Sequence, residues 1–299
     1  VHDLAARSGM DEARVRAILR ASGQPDSLDE PVYRDVHVQL LGAFAFGAQI
    51  FNDDAMLQYA RVLGSASARV AEAALALFFA NVSPQLRLSE ASDLELVRRS
   101  AEAVSAFSAT PAAMDLLIRE HFVTAVRRAG LLDVREGGTS LGTIAFIDLV
   151  ASTETSRAVT ATQWSDALTV FETAAMDAIQ ARDGRVVKLI GDEAMLFAPT
   201  PAAAIDAVDE VLTTVERHPL LGGGRAGVAA GYVVSRDGDY FGPVVNLAAR
   251  LVGAAAAGEV LLNDEASRSI ADGGYPIDAA GDFTLKGFEQ PVPVTRFRR

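Results

Sequence analysis

The segment that decides the fold of the second half of the chain is Arg185-Val186-Val187-Lys188-Leu189-Ile190-Gly191-Asp192-Glu193-Ala194-Met195-Leu196-Phe197. Two apolar runs rich in residues favoured in strands, 186–190 and 194–197, flank the pair Gly191-Asp192. This pattern predicts a β-hairpin with a tight turn. A lysine precedes the turn and a carboxylate lies within it. A polar hairpin tip is also typical of an ordinary solvated turn, so the rest of the chain must indicate whether this one has a function.

Composition limits the classes of protein to which the chain can belong. It has 299 residues, of which 50% are hydrophobic and 22% charged, with a formal net charge of −12 and no cysteine. This length accommodates two domains, each with its own core. The negative charge argues against a general nucleic-acid binder, because no basic excess neutralises phosphates. Disulfides and cysteine-based zinc sites are excluded.

We expect a cytoplasmic protein without a signal peptide or an integral membrane segment. The most apolar windows, 40–51 and 70–79, are shorter than the roughly 20 residues that cross a bilayer as a helix. The chain begins at Val1 within a helical pattern and without a methionine, and we expect residues upstream of it to have been removed.

The first half, residues 1–129, reads as an all-helical domain with no catalytic constellation. The run 3–20 predicts two helices joined at Gly9, with Asp11 capping the second helix. A DNA-binding helix-turn-helix is one interpretation, in which three arginines face phosphates; a plain packing pair is favoured because the chain is acidic. Further helices are predicted at 33–51, 54–82, 90–105 and 112–129, with Asp54 as a cap and Pro111 in a first turn.

Two features of these helices leave a sensory role open. The apolar face formed by Leu75, Phe78, Phe79 and Val82 is most simply a bundle core, and a groove for a lipid is the alternative. His37 and His121 lie within predicted helices, and histidine is the side chain that ordinarily changes charge near neutral pH.

The composition changes in the linker 130–140, and the period that follows predicts an α/β domain at 141–299. Its predicted elements are a strand at 141–146, a helix at 153–180, the hairpin, a helix at 201–216, a strand at 226–234, a helix at 243–255, and strands at 259–262, 283–286 and 292–297.

Acidic and amide side chains recur at the ends of these elements. Asp148 ends a strand, and Leu149-Val150-Ala151-Ser152-Thr153 then opens a helix, whose backbone N–H groups favour a polyphosphate. Carboxylate oxygens from Asp148 and Asp192 suit Mg²⁺ or Mn²⁺, which indicates a two-metal site for phosphoryl transfer. Asn246 and Arg250 are spaced i, i+4 and project from one helix face, where an amide and a guanidinium can orient a ribose and neutralise a phosphate.

In this order, the motifs resemble the catalytic domain of class III nucleotidyl cyclases. The resemblance covers residues 140–299 and rests on Phe146-Ile147-Asp148, Lys188-Leu189-Ile190-Gly191-Asp192, Asp239-Tyr240-Phe241-Gly242, Val245-Asn246-Leu247-Ala248-Ala249-Arg250 and Leu285-Lys286-Gly287-Phe288. It implies a ferredoxin-like α/β (α+β) fold and a head-to-tail homodimer with composite active sites at the interface.

The resemblance also implies a role for each residue. Asp148, Asp192 and Ile147 would bind two divalent cations, Lys188 and Asp239 would select the base, Asn246 would orient the ribose and Arg250 would stabilise the transition state. Lys286 and residues 149–153 would contact the phosphates. Relatives often carry glycine where this chain has Ala151; alanine fits there unless the backbone needs a positive φ.

Hydrogen bonding favours ATP as substrate. Adenine presents an acceptor and a donor amine that suit a lysine and an aspartate, whereas guanine reverses both edges. The predicted product is cyclic AMP, formed when the ribose 3′-hydroxyl attacks the α-phosphate and pyrophosphate leaves. The alternatives are a guanylate cyclase, a non-catalytic nucleotide-binding or dimerisation module, and a transcription factor that uses residues 3–20.

The first half has a looser resemblance. The run 59–72 is similar to helical regulatory domains of actinobacterial cyclases, some of which respond to pH or to fatty acids. This resemblance implies an autoregulatory domain that senses protons or a lipid.

Overall fold

A computed structural model describes residues 1–24, 35–81, 93–130, 134–135 and 138–299. It divides into two units, Val1–Arg119 and Glu120–Arg299. The sequence placed the boundary about ten residues later, at the end of the helix that spans this division. The helices and strands are numbered below in chain order.

The first unit is helical wherever the structure describes it. Its core is built from side chains of the first four helices, including Leu4, Val15, Leu19, Leu41 and Phe44. The helices are α1 (His2–Ser8), α2 (Glu12–Ala21), α3 (Asp35–Phe51), α4 (Asp53–Asn81), α5 (Asp93–Ala106) and the first part of α6 (Thr110–Gly130), with a 3₁₀ turn at Phe107–Ala109.

The predicted helix pair at the start of the chain is confirmed. Gly9 adopts the left-handed conformation after α1, and the Asp11 carboxylate accepts the Arg14 backbone N–H at 2.8 Å. The cap predicted for the long helix is wrong, because Asn52 rather than Asp54 accepts the first-turn N–H of Ala55. Residues 33–34, 82 and 90–92 of the predicted helices lie outside the described residues.

Helix α4 differs from the expectation that no segment suits a membrane. Its 29 residues include an 18-residue window with mean hydropathy 1.5, none of which is buried, so by length and composition the helix is able to cross a bilayer. The charged residues Arg69 and Glu72 interrupt its apolar sequence near the middle of the helix.

The second unit contains the rest of α6 and a mixed sheet with its helices. Its strands are β1 (Val134–Arg135), β2 (Thr139–Leu149), β3 (Arg185–Ile190), β4 (Glu193–Ala198), β5 (Gly224–Arg236), β6 (Asp239–Phe241), β7 (Val260–Asn263), β8 (Ile277–Phe283) and β9 (Val292–Phe297). Its helices are α7 (Ser152–Ala158), α8 (Ala161–Gln180), α9 (Pro201–Arg217), α10 (Pro243–Ala254) and α11 (Asp264–Ile270), followed by a 3₁₀ turn at Ala271–Gly273.

The strands follow the order β3-β4-β2-β5-β7-β9-β8, with β1 paired to β2 and β6 to β5. The β5–β7 pair is parallel and the other pairs are antiparallel. Residues of α8, α9 and α11 pack on one face of the sheet and residues of α10 on the other. The predicted α/β class, preceded by an all-helical region, is confirmed.

Several elements of the second unit differ from the sequence prediction. The helix predicted at 153–180 is two helices, because Thr160 starts α8 with a capping box to Gln163. The strand predicted at 283–286 is wrong: it lies at Ile277–Phe283, where it pairs with β9. Helix α11 was not predicted, and β2 begins within the expected linker.

Glycine allows α10 to lie close to the centre of the sheet. A Cβ added to Gly227 of β5 would lie 2.3 Å from the backbone nitrogen of Val252 and 2.4 Å from the carbonyl oxygen of Ala248. Real Cβ contacts are not this short, so β5 and α10 approach closely only because residue 227 has no side chain. This approach sets the position of the helix that carries Asn246 and Arg250.

Candidate active site

The predicted hairpin is confirmed, and its tip lies against the end of β2. β3 and β4 pair across Gly191, which has φ 65°, and Asp192. The Leu149 N–H donates to the Asp192 carbonyl oxygen at 3.1 Å. Because Leu149 follows Asp148, this bond brings the two predicted metal-binding aspartates into one neighbourhood.

Asp148 lies between two ionisable residues of the neighbouring strands. In the ladder it is opposite Arg225 of β5 on one side and Glu193 of β4 on the other. Arg225 donates from Nε and Nη2 to the same Asp148 oxygen, at 2.9 and 2.7 Å, and from Nη1 to the Ala255 carbonyl at 3.2 Å. The sequence analysis did not identify Arg225 or Glu193, because both meet Asp148 only through pairing across the sheet.

The pKa of the Glu193 carboxyl responds both to burial and to the charges around Asp148. Burial raises this pKa, and the negative charges of Asp148 and Asp192 raise it further, while Arg225 acts in the opposite direction. The end of the sheet therefore carries more negative charge than its one arginine offsets.

The residues present fit divalent cations. Hard cations such as Mg²⁺ prefer carboxylate oxygens and are usually held by one or two carboxylates together with substrate phosphates. Asp148 and Asp192 supply such a pair. In the parts of the chain that the structure describes, no three histidine, cysteine, aspartate or glutamate side chains are grouped as a complete protein-only metal site. Ile147 is fully buried between β4 and β5, directly before Asp148.

The predicted phosphate loop is only partly available to a ligand. The N–H groups of Leu149 and Val150 already donate to the carbonyls of Asp192 and Gly223. Ala151 lies at φ 59°, so the backbone adopts the positive φ that favours glycine, which is the condition under which alanine was not expected to fit without strain. Ser152 donates its hydroxyl to the Asp192 carboxylate. Ser152, Thr153, Gly191 and Asp192 line an open cleft of about 170 Å³.

The two predicted base-binding residues are in direct contact. The Lys188 ammonium lies 2.6 Å from one Asp239 carboxylate oxygen, and the Tyr240 N–H donates to the other at 2.7 Å. Lys188 is on β3 and Asp239 begins β6, so the pair joins elements that are 51 residues apart in sequence. Both side chains are partly exposed, at 40% and 27%, which leaves them accessible to a ligand.

Asn246 and Arg250 lie on the exposed face of α10, one turn apart, as predicted. Ala248, Leu251 and Val252 form the opposite, buried face. Arg250 donates from Nε to the Lys286 carbonyl oxygen at 3.1 Å. The structure therefore brings Lys286 next to Arg250 through its backbone.

The chain is similar in sequence and in fold to several known proteins. No family model matches the chain. An uncharacterised protein of Mycobacterium tuberculosis is 34% identical over 270 residues, covering 88% of this chain and 69% of that protein. A pH-sensitive adenylate cyclase of the same species is 31% identical over 324 residues, covering 99% of this chain and 77% of that protein. Among solved structures, the adenylyl cyclase CyaB from P. aeruginosa is 25% identical, with a TM-score of 0.48, covering 54% of this chain and 96% of that chain.

The chain belongs to the class III nucleotidyl cyclases, the family of the pH-sensitive adenylate cyclase.

Proposed function

We propose that this chain converts ATP to 3′,5′-cyclic AMP and pyrophosphate at composite sites of a homodimer, with two divalent cations as cofactors. The observation that carries the proposal is the contact between Lys188 and Asp239, a donor and an acceptor held side by side and partly exposed. Adenine offers the complementary acceptor and donor on one edge. Guanine would leave polar groups unpaired at the same pair, which costs about 1–3 kcal/mol per group.

The other site residues complete the proposal. Asp148 and Asp192 would hold the cations, with the backbone at Ile147 beside them. Asn246 would orient the ribose, and Arg250 would neutralise the charge that develops on the phosphate. When bound, the cations supply Lewis-acid stabilisation and lower the pKa of the ribose 3′-hydroxyl.

The chain's own residues act by positioning and electrostatics. The nucleophile is the 3′-hydroxyl of the substrate, so no side chain has to form a covalent bond. The remaining N–H groups of the loop, at Ala151, Ser152 and Thr153, together with the Lys286 side chain, are the proposed phosphate contacts.

An exposed apolar patch supports assembly with a second copy. Leu141 is paired with Tyr232, and Val234 with Phe241, across adjacent strands. Tyr232 and Val234 are two residues apart on β5 and therefore point to the same face, so all four side chains share one face of the sheet. They are between 37% and 48% exposed. Contiguous apolar surface of this kind is typical of a protein interface.

The test is the product formed by the purified full chain with Mn²⁺ and either ATP or GTP. We expect cyclic AMP in excess of cyclic GMP. Asp192→Asn should lower the rate about a hundredfold or more, because it weakens a cation site. Asp166→Asn, on an exposed face of α8, is the charge-matched control and should have no effect. Nucleotide binding without product would favour the non-catalytic module, and excess cyclic GMP would overturn the base assignment.

We propose in addition that the helical half makes the activity depend on pH. The relative named a pH-sensitive adenylate cyclase aligns with 99% of this chain, including that half. A fatty acid is the second signal to examine. Activity of the full chain between pH 5.5 and 8, with and without oleate, tests both signals, and His37→Gln and His121→Gln test the two helical histidines. A flat profile that oleate leaves unchanged would exclude both signals.

A further inference from the structure

Strand β3 contains an irregularity beside the base-binding lysine. In the β3–β4 ladder, Arg185 is opposite Phe197 and Val186 is opposite Leu196, but the next pair joins Lys188 to Met195. The register therefore shifts by one residue, and Val187 is the extra residue of a β-bulge.

The bulge changes which side chains share a face. In a regular strand, residues three apart point to opposite faces of the sheet. Arg185 and Lys188 are three apart, yet their partners Phe197 and Met195 belong to the same core cluster, on the α10 side of the sheet. The extra residue thus places Arg185 and Lys188 on one face.

On that face, Arg185 holds both neighbours of Asp239. Its Nη2 donates to the Gly238 carbonyl oxygen at 2.7 Å. Its guanidinium carbon lies 4.9 Å from the centre of the Tyr240 ring, a cation–π contact. The same ring stacks on Phe197, with centroids 4.3 Å apart and planes 9° apart, and Tyr240 is only 6% exposed.

These contacts determine where the Asp239 carboxylate lies. One of its oxygens accepts the Tyr240 N–H and the other faces Lys188, so its orientation follows from the position of β6. β6 is held over β3 by Arg185 at residue 238 and by the aromatic stack at residue 240. Displacing β6 would separate the acceptor from the donor without touching either one.

We propose that Arg185 is a positioning residue for nucleobase selection, acting through Gly238 and Tyr240 on Asp239. The inference rests on the proposed function, since it deepens the role of the Lys188–Asp239 pair. The contact with the Tyr240 ring requires a cation, and the hydrogen bond to the Gly238 carbonyl oxygen requires a donor in the same planar group. Arginine supplies them together, whereas lysine keeps only the charge.

The experiment compares Arg185→Met, Arg185→Lys, Tyr240→Leu and Tyr240→Phe with the parent. Arg217→Met, at an exposed position in the last turn of α9, is the matched control. For each protein, kcat and KM are measured with ATP and with GTP, and the melting temperature is recorded. Equilibrium binding of the α,β-methylene analogues of ATP and GTP gives a second measure of selection that needs no turnover.

We expect Arg185→Met and Tyr240→Leu to lower the preference for ATP over GTP about tenfold, mainly through KM for ATP, with kcat changed less than about threefold. Arg185→Lys should be intermediate, and Tyr240→Phe, which keeps the ring, should resemble the parent. A lower melting temperature with an unchanged ATP-to-GTP ratio would overturn the proposal, because a purely structural role predicts that result.

The binding measurement separates this proposal from the previous one. If the parent forms no cyclic nucleotide but prefers the ATP analogue, and Arg185→Met removes that preference, the cyclase proposal fails and the positioning role stands. If the parent binds neither analogue, both proposals are overturned.

Discussion

Ala151 is the residue whose backbone conformation conflicts most directly with its type. It starts α7 at φ 59° and ψ 19°, where an L-residue with a Cβ is strained by about 1–2 kcal/mol. Replacing alanine by glycine removes that strain but increases the entropy of the unfolded chain, which offsets about half of the gain.

We therefore predict that Ala151→Gly raises the free energy of unfolding by about 0.5–1 kcal/mol, or about 2 °C in Tm. Thermal melts with a chelator present measure it without any effect of bound cations. Ala181→Gly is the matched control, because residue 181 lies at φ −59° and the same substitution should destabilise there. Equal effects at the two positions would show that the conformation of residue 151 carries no strain.

The effect of the negative charges at Asp148 and Asp192 on Glu193 is testable through the pH dependence of stability. The pKa of Glu193 is raised in the folded protein, first by burial and then by Asp148 and Asp192. The folded state therefore holds this proton more tightly than the unfolded state, and the ionised carboxylate destabilises the fold as pH rises through the ordinary glutamate range, about 4.3, and above it.

The predicted consequence is that Glu193→Gln raises Tm at pH 7.5 in the metal-free protein, and that this gain disappears near pH 4. Melts of parent and variant at both pH values, in a chelator, give the comparison. Glu154→Gln, on an exposed position of α7, is the control. Added Mn²⁺ should shrink the gain at pH 7.5 by offsetting the nearby carboxylates. A gain that is the same at both pH values would contradict the assigned cause.

At the scale of single residues, the sequence was informative where a role depends on local position. Asp148 at a strand end and Asp192 in a turn were both predictable because their neighbours in sequence define those places. Arg225 is opposite Asp148 although it is 77 residues away, and Glu193 meets Asp148 from a third strand. Only the strand order and register reveal such contacts, and these depend on packing of the whole sheet.

Secondary-structure elements were likewise predictable from the sequence where their signals lie close together in the chain. The hairpin and the first helix pair were predicted correctly from Gly191, Gly9 and Asp11, which act within one turn of chain. The break between α7 and α8 has a local signal that the prediction missed, the capping box from Thr160 to Gln163. The bulge at Val187 has none, because it is defined by the partners of β3 on β4.

At the scale of secondary-structure elements, the prediction concerns α10, whose position on the sheet depends on Gly227. Gly227→Ala would place a methyl group against backbone atoms of Ala248 and Val252, which cannot rotate away. We expect α10 to shift, with a loss of about 1–3 kcal/mol in stability. The rate should fall more than ATP binding, because Asn246 and Arg250 move with the helix.

The control lies in the same helix. Gly253 has no atom within 4 Å of an added Cβ, so Gly253→Ala should be neutral or stabilising through helix propensity. Tm, kcat and KM for ATP are measured for both variants. A Gly227→Ala protein with parental kcat would show that the approach of β5 and α10 does not set the geometry of the site.

At the scale of the whole molecule, the β3–β4 hairpin carries two residues whose proposed roles differ. Lys188 and Asp192 are four residues apart, yet the proposed roles assign the first to base selection and the second to the cations. In the proposed head-to-tail homodimer, one copy supplies Asp148 and Asp192 to a site while the other supplies Lys188, Asp239, Asn246 and Arg250. Each dimer then has two such sites, related by its two-fold axis.

This arrangement predicts that two inactive variants restore activity when they are mixed. Asp192→Asn and Arg250→Met should each be nearly inactive alone. After mixing and subunit exchange, half of the dimers contain one copy of each, and such a dimer keeps one intact site of two. The mixture should therefore recover about a quarter of the parental activity. The matched control mixes Asp192→Asn with Asp148→Asn, both on the cation side, and should recover none because neither site of the mixed dimer has a complete cation set. Equal activity in the two mixtures would show that the site is built within one chain, and the hairpin would then have to serve base and cations in the same pocket.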